Sequence, residues 1–246
     1  ITYQICEKLN TANCDTATVT IPVGAAPIDA VNDTMASSNG LVGNTNLGNV
    51  LNPNGAGADT LNGTALTNLN LITMTVVTPA TPIVAGALVP TLNPTTGQVS
   101  VPAGTPAGNY TITYQICQNL NPTNCDTATV SIPVTAAAID AVNDTIAATN
   151  GTNGNPSAGN VLTSNGNGPD TLNGTAVTIN QVNIAVVTPA TPLVTGAPVP
   201  SVNTTTGVIS IPANTPAGNY TITYQICEKL NTANCDTATV TIPVGA

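Results

Sequence analysis

The chain has 246 residues, of which 41% are hydrophobic, enough to bury a core. Charged residues make up only 5% and the formal net charge is −9, so no basic surface is available to neutralise the phosphates of a nucleic acid. Because the chain contains no His, it lacks an imidazole proton shuttle, a Ser/His or Cys/His nucleophile pair and an imidazole metal ligand, and we expect no enzyme.

Most of the sequence is a tandem repeat. The segment Ile1–Ala25 recurs letter for letter as Ile222–Ala246, and an edited copy runs from Ile112 to Val134. A period of about 110 residues is too long for a solenoid turn and fits a chain of complete small domains. We predict that residues 1–25 are the C-terminal hairpin of a preceding, incomplete repeat, and that residues 26–135 and 136–246 are two repeats.

In chain order, the first predicted elements of residues 26–135 are short strands separated by Gly, Pro and Asn clusters. They lie around Ile28–Asp33, Gly48–Leu51, Asn68–Val77, Ile83–Val89 and Gly97–Val101. No segment shows a helical period. The most apolar window, VVTPATPIVAGALVP, carries three prolines, so we expect no membrane insertion in this segment.

The last two predicted strands show the clearest alternation of apolar and polar residues. The side chains predicted to face the core are Tyr110, Ile112, Tyr114 and Ile116 in the first and Ala128, Val130, Ile132 and Val134 in the second. Seven or so short strands per ~100 residues, with no helices, indicate an all-β fold. We predict tandem immunoglobulin-like Greek-key β-sandwiches arranged end to end.

The same alternation places the cysteines on the outer face, at the turn-proximal ends of these two strands. Neighbouring cysteines on adjacent strands can form disulfides. The predicted pairs are Cys6 with Cys14, Cys117 with Cys125, and Cys227 with Cys235. Two thiolates per repeat without His would half fill a tetrahedral zinc site, so we favour disulfides, which imply an oxidising compartment.

The predicted linkers are short. Only TAAA lies between Val134 and Ile139, and only GAAP between Val23 and Ile28. Four residues without a Gly/Ser tract do not let domains swing freely. We therefore expect consecutive sandwiches to abut and form a semi-rigid rod.

The succession of motifs in each repeat resembles a known family. IDAVNDT, then GNVL at Gly48 and Gly159, then TTGQVSVPAGTPAGNYTITYQIC and NCDTATVSIPV are similar to the tandem immunoglobulin-like or cadherin-like repeats of giant cell-surface adhesins or fibres of Bacteroidota. The resemblance implies an extracellular, structural or adhesive stalk on the cell surface, whose first partners are neighbouring repeats of the same chain.

Two other functions stay open at this point. The loops EKLNTAN, with Glu7 and Lys8 or Glu228 and Lys229, are pinned between cysteines and could bind carbohydrate or another surface. The hairpin 1–25 could instead complete a neighbouring molecule by strand addition, which would produce a self-assembling filament. A tandem array cut from a longer chain explains the identical ends without any exchange.

Seven of the nine aspartates stand in Asp-Thr followed by an aliphatic residue. This pattern is similar to the O-glycosylation signal of Bacteroidota, which makes the threonines candidate acceptors. They are Thr16, Thr34, Thr60, Thr127, Thr145, Thr171 and Thr237. The structural alternative is that Asp caps a turn at strand entry while Thr suits an edge strand.

Calcium is the one cofactor that the resemblance suggests. Asp29 with Asp33, and Asp140 with Asp144, would lie at the domain entrance, where cadherin-like relatives place cations. The loop that is densely acidic in the family keeps a single carboxylate in each repeat. Hard cations need several oxygen ligands, so turn capping is the alternative interpretation of these aspartates.

Overall fold

A computed structural model describes residues 1–246, and all of its regular structure is β. No helix of the length and apolar character needed to cross a bilayer is present. The chain begins with two strands, β1 (Thr2–Cys6) and β2 (Cys14–Thr18), which form an antiparallel hairpin with Cys6 opposite Cys14. This hairpin pairs with no other strand.

The segment that we call repeat 1, residues 26–135, contains β3 to β13. The strands are β3 (Ile28–Asp29), β4 (Asp33–Thr34), β5 (Ser38–Asn39), β6 (Asn44–Asn49), β7 (Thr60–Leu61), β8 (Thr64–Ala65), β9 (Ile72–Thr78), β10 (Thr91–Asn93), β11 (Gln98–Val101), β12 (Gly108–Gln118) and β13 (Asn121–Thr135). The two longest strands are the pair that the sequence marks most clearly.

The segment that we call repeat 2, residues 136–246, contains β14 to β24. The strands are β14 (Ile139–Asp140), β15 (Asp144–Thr145), β16 (Thr149–Asn150), β17 (Asn155–Asn160), β18 (Thr171–Leu172), β19 (Thr175–Ala176), β20 (Val182–Thr188), β21 (Ser201–Val202), β22 (Val208–Ile211), β23 (Gly218–Glu228) and β24 (Cys235–Gly245). Their order and lengths follow those of repeat 1.

Each repeat is an immunoglobulin-like sandwich with the same sheets. In repeat 1 the main sheet has the order β4-β13-β12-β9, with β5 also on β13, and two smaller sheets have the orders β10-β11-β6 and β3-β7-β8. All pairs are antiparallel except those of β4 and β5 with β13, which are parallel. The second and third strands of the repeat therefore neighbour its last strand. Repeat 2 reproduces this arrangement with β15, β16 and β24.

Two separate hydrophobic cores lie inside the two sandwiches, one of 18 and one of 20 buried residues. The alternation in β12 and β13 puts the predicted side chains inside: Tyr114 and Ile116 are 0% exposed, as are Val130 and Ile132. Tyrosine and β-branched residues fill the space, since the chain has no Phe or Trp. Each repeat thus buries its own apolar face.

Four predicted strands differ from the structure. The strand expected at Asn68–Val77 begins only at Ile72 and ends at Thr78. The strand expected at Ile83–Val89 is wrong, because these residues form turns in which Gly86 has φ of 76° and Ala87 N–H donates to the Val84 carbonyl. The strand expected at Ile28–Asp33 is split, since β3 and β4 join different sheets. The strand expected at Gly48–Leu51 begins earlier, at Asn44, and ends at Asn49.

Candidate functional site: the joint between the repeats

The loop between Cys227 and Cys235 of repeat 2 packs against the end of repeat 1. The Ala107 backbone N–H donates to Asn231 Oδ1 across the joint at 2.6 Å. Beside this bond, Ile83, Val84 and Pro106 of repeat 1 and the loop of repeat 2 line a cleft of about 580 Å³. The surface formed by Ile83, Val84, Pro106 and Ala107 is called the socket below.

A pair of asparagines joins the repeats on another side of the joint. Asn39 of repeat 1 and Asn173 of repeat 2 donate an amide N–H to each other's Oδ1, each at 3.2 Å. Asn173 adopts a left-handed conformation with φ of 49°, which asparagine tolerates better than most residues. Leu41 of repeat 1 packs against the core of repeat 2. The joint is therefore both hydrogen-bonded and apolar.

The linker between the repeats is held in place from both sides. Asn39 Nδ2 donates to the Ala136 carbonyl at 3.2 Å, and Asn234 Nδ2 donates to the Ala137 carbonyl at 2.8 Å. Ala137 is only 3% exposed. A short linker whose carbonyls are bonded to both repeats restricts how the repeats can turn relative to each other.

Exposure of one loop leucine shows what the joint covers. Leu230, in the seated loop of repeat 2, is partly buried. Its equivalents Leu120 in repeat 1 and Leu9 in the hairpin 1–25 are 86% and 96% exposed. The loops are closely related in sequence, so the difference comes from contact with repeat 1.

Glu228 lies at the loop end of the repeat 2 core, 1% exposed. Its Oε2 accepts hydrogen bonds from the Asn231 and Asn234 side chains at 3.0 and 2.8 Å, while its Oε1 is buried without a partner. In repeat 1 the equivalent residue is Gln118, whose Oε1 accepts from two asparagines in the same way. Glu228 therefore organises its loop and presents no surface to a ligand.

Lys229, the next residue, also makes hydrogen bonds within repeat 2. Lys229 Nζ donates to the Ile179 carbonyl at 2.7 Å, and the Lys229 backbone N–H donates to the Gln181 carbonyl at 2.9 Å. In the hairpin 1–25, by contrast, Glu7 and Lys8 are exposed. In the second EKLNTAN loop Glu228 is buried, whereas Lys229 is exposed with its ammonium bonded to the Ile179 carbonyl.

The structure contains three disulfides, and no cysteine is free. They join Cys6 to Cys14, Cys117 to Cys125, and Cys227 to Cys235, each with a Cα–Cα distance of 4.1 Å. Each bond closes the hairpin at the base of its loop, at directly opposed positions of the two strands. The bonds fix the loop that forms the joint in repeat 2.

Inside repeat 1, two buried aspartates share one tyrosine hydroxyl. Tyr114 Oη lies 3.1 Å from Asp33 Oδ2 and 3.1 Å from Asp59 Oδ2. Because a hydroxyl has one proton, it can donate to only one of these carboxylates at a time. Burial raises the pKa of Asp33 to about 7 and that of Asp59 to about 6, although hydrogen bonds to the carboxylates lower both.

The same cluster recurs in repeat 2. Tyr224 Oη lies 3.0 Å from Asp144 Oδ2 and 3.2 Å from Asp170 Oδ1, and burial raises the pKa of Asp144 to about 7 and that of Asp170 to about 6. The Asp59 and Asp170 carboxylates also accept the backbone N–H of Val31 and Val142. The clusters thus tie the start of each repeat to its core.

The aspartates considered for calcium do not form one cage. Asp33 and Asp144 are buried in the tyrosine clusters, whereas Asp29 and Asp140 are exposed. No group of three or more acidic, His or Cys side chains is arranged to hold a metal ion. The residues present do not fit a calcium site of the oxygen-rich kind, and we derive no role for the ion.

The candidate acceptor threonines lie at or near the surface. Thr60 and Thr171 are partly buried, and the exposed ones are Thr16, Thr34, Thr127, Thr145 and Thr237. The preceding aspartates have structural contacts of their own: Asp126 and Asp236 accept the backbone N–H of Ala30 and Ala141, each at 2.8 Å. The Asp-Thr pattern therefore has a structural use in this fold, whatever happens at the threonines.

The residues of repeat 1 that form the joint were not predicted from the sequence. Ile83 and Val84 were assigned to a strand, and Pro106, Ala107 and Asn39 were not singled out. A signal was present, since TP-I/L-V at Thr81–Val84 and Thr191–Val194 places two apolar residues directly after a proline, where an exposed turn is expected.

No family model and no curated protein matches the chain. Among solved structures, the chain is similar to protocadherin gamma B2 extracellular cadherin domains 3-6 (10% identity, TM-score 0.32), covering 95% of this chain and 55% of that one. It is also similar to mouse cadherin-23 EC22-24 (14% identity, TM-score 0.31), covering 90% of this chain and 64% of that one. Drosophila N-cadherin EC1-4 is similar as well (12% identity, TM-score 0.32), with 91% of this chain and 50% of that one covered. The chain spans about half to two thirds of these structures, and similarity at this level does not identify a family.

Proposed function

We propose that this chain is part of an extracellular stalk or fibre on a cell surface, in which immunoglobulin-like repeats are stacked into a semi-rigid rod with a structural or adhesive role. In this proposal residues 26–135 and 136–246 are successive repeats, and residues 1–25 are the closing hairpin of a preceding one. The function is mechanical and requires no catalysis.

One observation carries the proposal: the disulfide-closed loop of repeat 2 is seated in the socket of repeat 1, with Asn231 accepting a hydrogen bond from Ala107 N–H. The Asn39–Asn173 pair and the short, bonded linker add contacts on other sides. Contacts distributed around a joint oppose bending in several directions. A series of such joints keeps a distal part of the protein away from the cell.

Other features are consistent with an extracellular location. Three disulfides in one chain indicate an oxidising compartment. With only two Lys or Arg residues, the chain offers almost no cleavage sites to trypsin-like proteases. Glycans on the exposed Asp-Thr threonines would hydrate a surface that has few charges, and we include them in the proposal.

The proposal is tested by measuring the relative orientation of the two repeats in solution. Residual dipolar couplings of the full chain should fit a single alignment tensor for both repeats, because the joint fixes their orientation. Insertion of Gly-Gly-Ser after Ala136 together with Asn231→Ala should give two independent tensors. Different tensors for the two repeats of the unmodified chain would contradict a semi-rigid rod.

A binding function has one structural feature in its favour, since Glu7 and Lys8 are exposed on a disulfide-closed loop. Binding of the chain to a carbohydrate array that disappears with Glu7→Gln and Lys8→Gln would support this second candidate. We rank it below the rod, because the identical loop in repeat 2 is occupied by the joint.

A further inference from the structure

Asparagine followed directly by glycine occurs eight times in the chain. Glycine has no side chain to shield its backbone nitrogen, so this nitrogen can attack the side-chain amide of the preceding asparagine. Asparagine is among the thermolabile residues of proteins. Each Asn-Gly pair is therefore a candidate site of spontaneous deamidation, and the fold decides which pairs can react.

In three of the eight pairs the glycine N–H is held by a backbone hydrogen bond. The donors are Gly40, Gly151 and Gly154, at 2.9, 2.8 and 3.0 Å. Gly40 is also buried, and a Cβ at this position would clash with the Thr105 carbonyl oxygen. A bonded and enclosed nitrogen cannot reach the side-chain amide without disrupting the sheet, so Asn39 should be stable.

The pair Asn173-Gly174 is placed differently. The two residues form the exposed turn between β18 and β19. The Gly174 N–H donates to no backbone acceptor, and a Cβ at Gly174 would meet nothing within 4 Å. Among the five pairs without such a backbone bond, Asn173 is the only asparagine whose side chain bonds to the other repeat. A reactive pair thus lies in the joint itself.

Asn173 uses its whole amide at the joint. Its Oδ1 accepts the Ala138 N–H at 2.9 Å and an Asn39 Nδ2–H at 3.2 Å, and its Nδ2 donates to Asn39 Oδ1 at 3.2 Å. Asn39 cannot turn its own amide to suit a changed partner, because its Oδ1 accepts the Leu41 N–H and its Nδ2 donates to the Ala136 carbonyl. The pair therefore depends on the NH2 group of Asn173.

We propose that Asn173 is a modification site at which deamidation opens the joint irreversibly. The Gly174 nitrogen attacks Asn173 Cγ and forms a carbon–nitrogen bond. The Gly174 N–H proton passes through water to the side-chain nitrogen, which leaves as ammonia. Water then opens the resulting succinimide ring at either carbonyl, which gives aspartate or isoaspartate. No oxidant, reductant or cofactor takes part.

Either product weakens the joint. Aspartate has two acceptor oxygens and no donor, so the bond to Asn39 Oδ1 is lost and two oxygens face each other. Isoaspartate also adds a methylene group to the backbone of a two-residue turn in which Asn173 has φ of 49°. The new negative charge is added to a chain with a net charge of −9. Because ammonia is lost, the joint stays loosened.

The closed joint slows this reaction. Ring closure requires Asn173 Cγ to approach the Gly174 nitrogen, and the bonds to Asn39 and Ala138 oppose the rotation of the side chain. Deamidation therefore follows an opening of the joint and then prevents its closure. The inference concerns the chemistry of the joint and does not depend on a stalk function.

Mass spectrometry of peptides from the full chain, after incubation in mildly alkaline buffer, tests the proposal. We expect a gain of about 1 Da at Asn173 and none at Asn39. Asn39→Ala should raise the deamidation rate of Asn173 roughly fivefold, the effect of losing one or two hydrogen bonds. Asn150→Ala is the matched control and should leave the rate unchanged, since Asn150 holds the place of Asn39 in repeat 2 and bonds to Ala246.

Amide exchange at Ala107 measures the effect on the joint, because this N–H donates to Asn231 across it. In the deamidated chain the Ala107 N–H should exchange about threefold faster or more, whereas the core amide of Ile112 should not change. Asn173→Asp should produce the faster exchange without incubation. Asn173→Gln, which keeps the amide but forms the ring far less readily, should prevent any change on incubation.

Three results would overturn the proposal. One is retention of the Asn173 amide while Asn62-Gly63, which forms the same turn with φ of 52° and 73°, loses its own. Another is equal acceleration by Asn39→Ala and Asn150→Ala, and the third is unchanged exchange of the Ala107 amide after deamidation. The stalk function is judged separately, by the dipolar couplings of the unmodified chain.

Discussion

The hairpins 1–25 and 222–246 have the same sequence and the same cross-strand register, yet they lie in different environments. In the second, the hairpin is part of a complete sandwich and Tyr224 is 0% exposed. In the first, the equivalent Tyr3 is 48% exposed. The local sequence and the disulfide determine register, whereas the rest of the sandwich determines what is buried.

The largest expected difference between the hairpins is in core packing. Ile226→Ala removes a side chain that is 0% exposed and should lower the free energy of unfolding of repeat 2 by about 2–5 kcal/mol. Ile5→Ala changes the same sequence position where it is 66% exposed, and should alter stability by less than about 0.5 kcal/mol. Urea unfolding of both variants measures the effect, and equal losses would contradict the comparison.

Removing the disulfides should separate the hairpins in another way. With Cys227→Ser and Cys235→Ser, repeat 2 should keep its fold and lose roughly 2.5 kcal/mol, the chain-entropy value for so short a loop. With Cys6→Ser and Cys14→Ser, β1 and β2 should lose their pairing, because an isolated two-stranded hairpin is marginal in water. Amide exchange detected by NMR reports both, and protected β1 amides without the disulfide would be the contrary result.

A smaller difference between the two hairpins should appear in how their stability depends on pH. Asp144 and Asp170 have pKa values of about 7 and about 6 in the folded repeat, above their ordinary value of 3.8. Between these values the folded repeat retains protons that the unfolded chain releases, so stability falls as pH rises from about 4 to about 7 and then levels off. Asp140 and Asp236 face this cluster and favour protonation of Asp170.

Urea unfolding of the repeats at about pH 4, 5.5 and 7 tests this direction. Asp144→Asn should reduce the pH dependence of repeat 2 to the part due to Asp170, while repeat 1, with Asp33 intact, keeps its full dependence. Exchange of the β1 amides, corrected for intrinsic rates, should not follow this pH dependence, because hairpin 1–25 has no buried acid. A rise in repeat stability over the same interval would show that the clusters stay ionised.

The smallest expected effect is at the glutamates. Glu228→Gln copies the residue that repeat 1 has at Gln118 and removes a buried, unpaired carboxylate oxygen. Repeat 2 should gain up to about 1 kcal/mol at neutral pH. Glu7→Gln, at an exposed position of identical sequence, should change nothing measurable in thermal unfolding. Destabilisation by Glu228→Gln would mean that its charge is compensated in solution.

Much of the fold could be predicted from the sequence, because the clearest alternation of apolar and polar residues belongs to the longest strands. Alternation from Tyr110 to Ile116 predicted β12 and its buried face correctly, and the absence of helices follows from the lack of any helical period. The turn at Ile83–Val89 could not be predicted in this way. Its apolar residues resemble a strand, and their role at the joint depends on the neighbouring repeat.

The residues that form the joint and the buried clusters were harder to predict from the sequence than the fold. Short linkers predicted that the repeats abut, but the residues that meet across the joint are far apart in sequence, such as Ala107 and Asn231. Likewise, Asp33 was considered as a calcium ligand or turn cap and Asp59 as part of an Asp-Thr motif, although folding brings both to Tyr114. Contacts of this range depend on the complete topology, which periodicity does not encode.

The parallel pairing of β4 and β5 with β13 affects how a repeat responds to tension. A pull on the two ends of repeat 1 drags the first strands and the last strand in opposite directions along their common edge. The hydrogen bonds from Met35 N to Ser131 O and from Gly40 N to Thr135 O then bear the load together in shear, instead of opening one after another. We therefore expect the hydrogen bonds at this edge to determine the force at which each repeat unfolds, as measured by extension in optical tweezers.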